Sequence, residues 1–262
     1  MLIIGEKLNS SVPKTLEALN SHDEKYLTET IKRQAQCGAQ YLDINTALTR
    51  DKETENMLWV IKLALENSPC GIMIDSPEPQ VILDCMPALE GRRAIVNSIT
   101  LDDKYDALIS AIKETQAGVV CLPIKGRAIP ETAQERVENA ALLINKLRSA
   151  KIEDDKIYID ILAEAVATNG EAAKTALETL RLIREQFPRI HTVCGLSNIS
   201  FGLPLRAKLN AAFLTMAMQN GMDSVIADPT SETVMDAVYI AQAMLGEDEY
   251  CIEFINYIRE KD

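Results

Sequence analysis

Asparagine and aspartate recur at one kind of place in this 262-residue chain, the polar end of short apolar runs. Glu6 and Asn9 close the first run, Asp43 and Asn45 the second, Asp75 the third and Asn97 the fourth. Asp160 sits near the end of the sixth, Ser197 and Asn198 close the seventh just after Gly195, and Asp228 closes the eighth. Carboxylates accept hydrogen bonds, and carboxamides both accept and donate them. A pocket lined by both suits a flat heterocycle with several N–H donors and carbonyl acceptors. Singly, Asp and Asn also favour turns and helix caps, where they bond nearby backbone. Asp43, and Asp228 before Pro229, have that plainer explanation open to them.

Other chemistries find little footing. With only His22 and His191, a Ser-His-Asp set cannot be built and a resident zinc site is not expected. No Gly-rich phosphate loop is visible. Lys125, following Ile124 at the end of the fifth run, is the only lysine at such an end. A Schiff-base role would need a neighbour that lowers its pKa, and none is evident. Ile124 and Arg206, the latter in the segment after the seventh run, complete the candidate rim.

The elements that must carry these residues read clearly. Eight strand candidates cover 1–9, 39–45, 70–76, 93–99, 118–124, 156–162, 191–198 and 223–229. They begin some 20 to 40 residues apart, the spacing of βα units rather than hairpins. Their apolar runs are nearly continuous, as parallel strands buried on both faces require. Between them, 51–68 places Met57, Val60, Ile61, Ala64 and Leu65 on one helical face. Residues 169–188 carry Leu177, Leu180 and Ile183 and stop at Pro188, while 204–221 runs from Pro204 to Gly221. The last fourteen residues read as a closing helix. The expectation is one α/β domain over 1–262, a single TIM (β/α)8 barrel, with chemistry at the carboxyl ends of the strands. An open doubly wound sheet is the alternative, but "GEKLNSS" after the first strand is no Gly-x-Gly-x-x-Gly turn.

Composition sets outer limits. A net charge of −12 argues against nonspecific binding to nucleic acid or anionic membrane. Six cysteines without a Cys-x-x-Cys pair suit reduced thiols in the cytoplasm. No apolar run is long enough for a membrane span, and "MLIIGEKLN" has the wrong flanks for a signal peptide.

Seven stretches, in order, resemble one known family. They are "LIIGEKLN" (2–9), "AQYLDIN" (39–45), "IMIDSPEP" (72–79), "AIVNS" (94–98), "YIDIL" (158–162), "GLSNISFGLPLRAKLNAAFL" (195–214) and "IADP" (226–229). The chain resembles the methyltetrahydrofolate–corrinoid protein methyltransferases. Their pterin-binding barrel also forms the folate module of cobalamin-dependent methionine synthase. "GLSNISFGLP" is the most specific piece. The resemblance implies tetrahydrofolate or methyltetrahydrofolate as substrate, and a separate corrinoid protein that carries the cobalamin. It implies that Asp75, Asn97 and Asp160 hydrogen-bond the pterin ring. Asn198 would contact the ring nitrogen that bears the methyl group, flanked by Gly195 and Ser197. A homodimer is implied as well.

The residue types agree with that chemistry. A carboxylate accepts a ring N–H and an exocyclic amine in a fork. Methyl transfer between nitrogen and cobalt needs no protein nucleophile, but the amine leaves poorly unless its nitrogen is protonated or hydrogen-bonded. A positioned amide such as Asn198 can accept a bond from the developing N–H⁺. Phe201, Gly202 and Leu203 stand where the acetogenic branch of the family would be more polar. That points to a branch serving O-demethylase or methylamine-type systems, in which methyl flows from methylcobalamin to tetrahydrofolate. The reverse flow in acetogenic carbon metabolism is the alternative. Dihydropteroate synthase shares the barrel, but by family resemblance it needs Lys and Arg near strands seven and eight. A non-catalytic folate-binding protein and a Lys125 aldolase are the remaining readings.

Overall fold

Strands and helices alternate from one end of the chain to the other. The structure, a computed structural model, describes residues 1–126 and 128–261. The strands are β1 (Leu2–Asn9), β2 (Tyr41–Asn45), β3 (Gly71–Asp75), β4 (Ala94–Ile99), β5 (Gly118–Cys121), β6 (Ile157–Asp160), β7 (His191–Val193) and β8 (Ser224–Ala227). The helices are α1 (Pro13–Ser21), α2 (Glu24–Gln36), α3 (Glu53–Asn67), α4 (Pro79–Cys85) and α5 (Asp106–Thr115). They continue as α6 (Ala133–Ser149), α7 (Ala172–Gln186), α8 (Arg206–Gln219), α9 (Glu232–Met244) and α10 (Ile252–Arg259). All strand pairs are parallel, in the order β7-β6-β5-β4-β3-β2-β1-β8. The two ends then meet, giving the expected (β/α)8 barrel.

Alternation along each strand separates two cores. Outward residues such as Leu42, Ile44, Ile72 and Ile74 pack under the helices. Inward residues Ile4, Met73, Ile95, Val120, Tyr158 and Val193 form a separate apolar plug on the barrel axis with Ile226. Tyr158 stacks on His191 at the amino end, with ring centroids 4.8 Å apart. The helices present the faces their periodicity demands. In α3, Met57, Val60, Ile61 and Ala64 are buried, while Leu65 is only half-buried. The first turn of α6 is held by a reciprocal box, Glu135 N donating to Thr132 Oγ1 at 3.2 Å and Thr132 N to Glu135 Oε2 at 3.3 Å.

Several strands are shorter than their apolar runs. The fifth ends at Cys121 rather than 124, and the seventh at Val193 rather than 198. Residues Leu196–Asn198 form a 3-10 turn instead. Apolar side chains there stay buried without pairing in the sheet, so hydropathy alone overruns the ladder. His22 caps the end of α1 in the left-handed region (φ 56°), just before α2 begins.

The barrel closes between β7 and β8, and this seam is made differently from the others. Ile226 N donates to Cys194 O at 3.0 Å, and Gly195 bridges Ile226. Below that, side chains stand in for ladder bonds. Asp223 Oδ1 accepts from Thr192 N at 2.9 Å, its Oδ2 pairs with His191 Nδ1 at 2.8 Å, and Ser224 Oγ donates to Thr192 O at 2.6 Å. Asp223→Ala leaves a buried N–H without its acceptor. Chemical denaturation should show a loss of about 1–3 kcal/mol, and Asp223→Asn, which keeps an acceptor, a smaller one.

Candidate functional site

Because strand side chains alternate, the residue two places after each plug residue also faces the axis. Above Ile4 stands Glu6, above Met73 Asp75, above Ile95 Asn97, above Tyr158 Asp160, and above Ile226 Asp228. Asp43 rises in the same way from Tyr41. Their side chains line one cavity of about 770 Å³ at the carboxyl ends of the strands. The apolar plug is its floor.

Several of the polar groups are fixed by named partners. Asp75 Oδ2 accepts from Asn45 Nδ2 at 2.9 Å, and Asn45 Oδ1 accepts from Ser10 Oγ and Ala47 N, each at 3.1 Å. Asp160 Oδ1 accepts from Leu162 N at 2.7 Å. Asp43 is only 2% exposed, and its Oδ1 is buried without a hydrogen-bond partner among the described residues. At the mouth, Ser197 Oγ donates to Glu6 Oε1 at 2.7 Å. Arg206 donates from Nη2 to Ser197 O at 2.8 Å and from Nε to Ser200 Oγ at 3.2 Å. This pins the turn that carries Asn198, whose side chain is exposed at the cavity wall. A Cβ on Gly195 would lie 3.1 Å from Asn198 Nδ2, so glycine leaves room for the amide.

Burial dominates the electrostatics. Desolvation pushes the carboxyls of Asp75 and Asp160 up to about 6. For Asp75 the bond from Asn45 partly offsets this. For Asp160 the Leu162 N–H and the nearby Arg136 do so. Asp43 is raised well above the usual carboxylate range by burial, then by its acidic neighbours Asp75 and Glu6. Glu6 is also raised by burial, with the Ser197 bond opposing. An apolar-floored cup of partly protonated carboxyls calls for a ligand rich in N–H donors, whose bonds favour the charged forms. Among the described residues, no group of three or more His, Cys, Asp or Glu could hold a metal ion.

Eleven of the candidate residues share this cavity: Glu6, Asn9, Asp43, Asp75, Asn97 and Asp160 on one side, and Gly195, Ser197, Asn198, Arg206 and Asp228 on the other. Two do not line it. Asn45 acts one layer back, through Asp75. Ile124 bonds Leu101 N through its carbonyl and remains in the loop after β5. Lys125 also lies outside the cavity, exposed, in an isolated bridge to Ala128. Asp228 is engaged by its own surroundings, accepting from Thr230 N at 3.0 Å and Thr230 Oγ1 at 2.6 Å and pairing with Lys7 at 2.7 Å. Lys7 and Asn210 line the cavity too. Both stand in stretches quoted above, but a lysine inside a strand and an asparagine inside a helix carry no positional signal of their own.

A model of the family described as pterin binding enzyme matches residues 5–228, the segment that holds every strand end just described. The chain belongs to this pterin-binding family. Within it, the chain is 31% identical to methylcorrinoid:tetrahydrofolate methyltransferase of Eubacterium limosum over 263 residues, 99% of this chain and 97% of that one. It is 32% identical to methionine synthase of Mycobacterium tuberculosis over 240 residues, 86% of this chain but only 20% of the synthase. The pterin-binding chain thus spans about a fifth of that larger enzyme. A solved dihydropteroate synthase from Xanthomonas albilineans superposes with a TM-score of 0.71 at 18% identity, covering 93% of each chain. That likeness is one of fold.

The raised carboxyls have a cost in the empty protein. Between the ordinary carboxylate range and about 6, the folded state binds more protons than the unfolded one. Stability contributed by these groups therefore falls as pH rises through that window and stays low above it. Asp160→Asn keeps the acceptor for Leu162 N and removes the desolvated charge. Calorimetry without ligand should find this variant melting roughly 2–4 °C higher than the parent at pH 7.5. The gap should shrink as pH falls below 6. A variant melting lower at pH 7.5 would contradict the electrostatic assignment.

Proposed function

We propose that the chain transfers a methyl group from a methylcorrinoid on a separate protein to the methyl-bearing ring nitrogen of tetrahydrofolate. The observation that carries this reading is the pairing of a carboxyl and carboxamide cup with a single exposed amide, Asn198, at its wall. Similarity over both full lengths to a methylcorrinoid:tetrahydrofolate methyltransferase supports the substrate pair and the direction.

In this reading Asp160 and Asp75 accept the N–H donors of the amino-pyrimidinone edge, and Asn97 bonds a ring carbonyl and a ring N–H. The cup fixes the ring so that its reactive nitrogen faces the mouth. The corrinoid supplies the methyl group and keeps the electron pair of the broken bond at cobalt. The nitrogen attacks with its lone pair, and its own proton becomes acidic as the new bond forms. Asn198 accepts a hydrogen bond from that N–H⁺ with its amide oxygen, and the proton leaves to solvent after transfer. In reverse the same bond assists a protonated amine to leave. Glu6 and Arg206 both hold the Asn198 turn through Ser197, by its hydroxyl and its carbonyl.

Following the cobalt spectrum after mixing the protein with methylcobalamin and tetrahydrofolate tests the assignment. Turnover is expected, and Asn198→Ala should lower it about 10²-fold while folate affinity changes less. Asp160→Ala should weaken binding instead. Absence of turnover with free or protein-bound methylcorrinoid would favour a non-catalytic folate-binding protein.

The same proposal includes a homodimer in a reducing, cytoplasmic setting. All six cysteines are free. No helix of the described residues is long and apolar enough to cross a membrane. Ile240 and Met244 of α9 and Ile252, Ile255 and Ile258 of α10 are exposed beside Tyr250, a surface suited to a second copy. Light scattering should give twice 29.0 kDa, and Ile255→Asp should reduce it to the single-chain mass.

A further inference from the structure

Arg136 of α6 is 1% exposed, yet it lies outside the cavity. Its guanidinium is spent on two loops at the carboxyl end of the barrel. Nε donates to Pro130 O at 2.9 Å in the loop before α6. Nη1 donates to Ile161 O at 3.2 Å and Leu162 O at 2.8 Å, and Nη2 pairs with Glu164 at 2.5 Å. The segment it grips begins directly after Asp160. Leu162 holds φ 56°, a left-handed conformation that costs a side-chain-bearing residue energy. That conformation places the Leu162 N–H against Asp160 Oδ1 at 2.7 Å.

A buried arginine among backbone carbonyls is costly to desolvate and unusual where its only task is packing. Here its acceptors all lie in the two loops that frame Asp160. We propose that Arg136 is a positioning residue: its guanidinium fixes the turn that orients Asp160 and gives that carboxylate a buried positive neighbour. One oxygen of Asp160 is thereby tied to the turn, and the other is left to a ligand in the cavity.

The surroundings of Asp160 make the charge effect readable. From α6 comes Arg136, with Glu164 as its counter-ion. β7 leads into the Cys194 thiol and β5 ends in the Cys121 thiol, both pushed up by burial and therefore neutral. Across the cavity stand the carboxyls of Asp43, Asp75 and Glu6. Lys7 and Arg206 line the cavity, but Arg136 is the cation that acts on Asp160, drawing it toward its charged form against the pull of burial.

The ligand named here rests on the proposed function, so the first measurement avoids any ligand. Carbon-13 NMR titration of the Asp160 carboxyl in the free protein should move its midpoint up by roughly one pH unit in Arg136→Met. In Glu164→Gln, which frees the guanidinium from its counter-ion, the midpoint should move down. A midpoint unmoved in Arg136→Met, or shifts of one sign in both variants, would overturn the proposal. Arg136→Lys keeps the charge but not the fork. It should leave the midpoint near that of the parent while tetrahydrofolate affinity falls about tenfold. If Arg136→Met does not fold, an unmoved midpoint in Glu164→Gln with full affinity in Arg136→Lys overturns the proposal. Failure of the parent to bind tetrahydrofolate counts against the function and leaves the NMR test of Arg136 standing.

Discussion

A strand can show only every second residue to the barrel axis, and this parity governs the whole molecule. It forces an apolar plug residue and a polar site residue into the same column, two positions apart. The plug excludes water from below, so the carboxyls above it are desolvated. That desolvation makes them strong acceptors for a ligand and a burden to the empty protein. Fold and binding chemistry therefore share one origin, and the stability surrendered by Asp75 and Asp160 is recovered when donors arrive to meet them.

In the proposed mechanism Asn198 meets the reacting nitrogen, and Glu6, the acid at the mouth, is engaged by Ser197. The groups with raised protonation lie along the cup. The residue that the proposed mechanism offers to the reacting nitrogen is a neutral amide, which orients a proton without removing it. Methyl transfer from methylcobalt to nitrogen, and its reverse, make similar demands on the protein. An amide that serves both directions equally suits a reaction whose flow is set by its partners.

Much of this was legible before any coordinates. Eight apolar runs at βα spacing identify the barrel, and most of the Asp and Asn at their ends line the cavity at its carboxyl end. What escaped is what depends on a second layer. Asn45 reads as a rim residue but acts through Asp75. Ile124 closes an apolar run yet does not line the cavity, because β5 stops pairing at Cys121. Arg136 sits in a helix rich in ordinary charges, "AQERVENAALLINKLRS", and although its spacing from Ala140, Leu143 and Leu147 puts it on the buried face, nothing in the sequence says which carbonyls its guanidinium meets there. Its importance comes from where the loops of two other units end, which a linear pattern does not encode.

The seam between β7 and β8 has a mechanical consequence. Seven of the barrel's eight seams are parallel ladders, and they run beneath Asp43, Asp75, Asn97 and Asp160. The Asn198 turn stands on the wall that is fastened mostly by side chains, and it is moored above by Glu6 and Arg206 rather than by the sheet. Backbone pairing is thus thinnest on one side of the cup. In the proposed function, the laddered strands grip the ring and the partner meets the wall held by side chains.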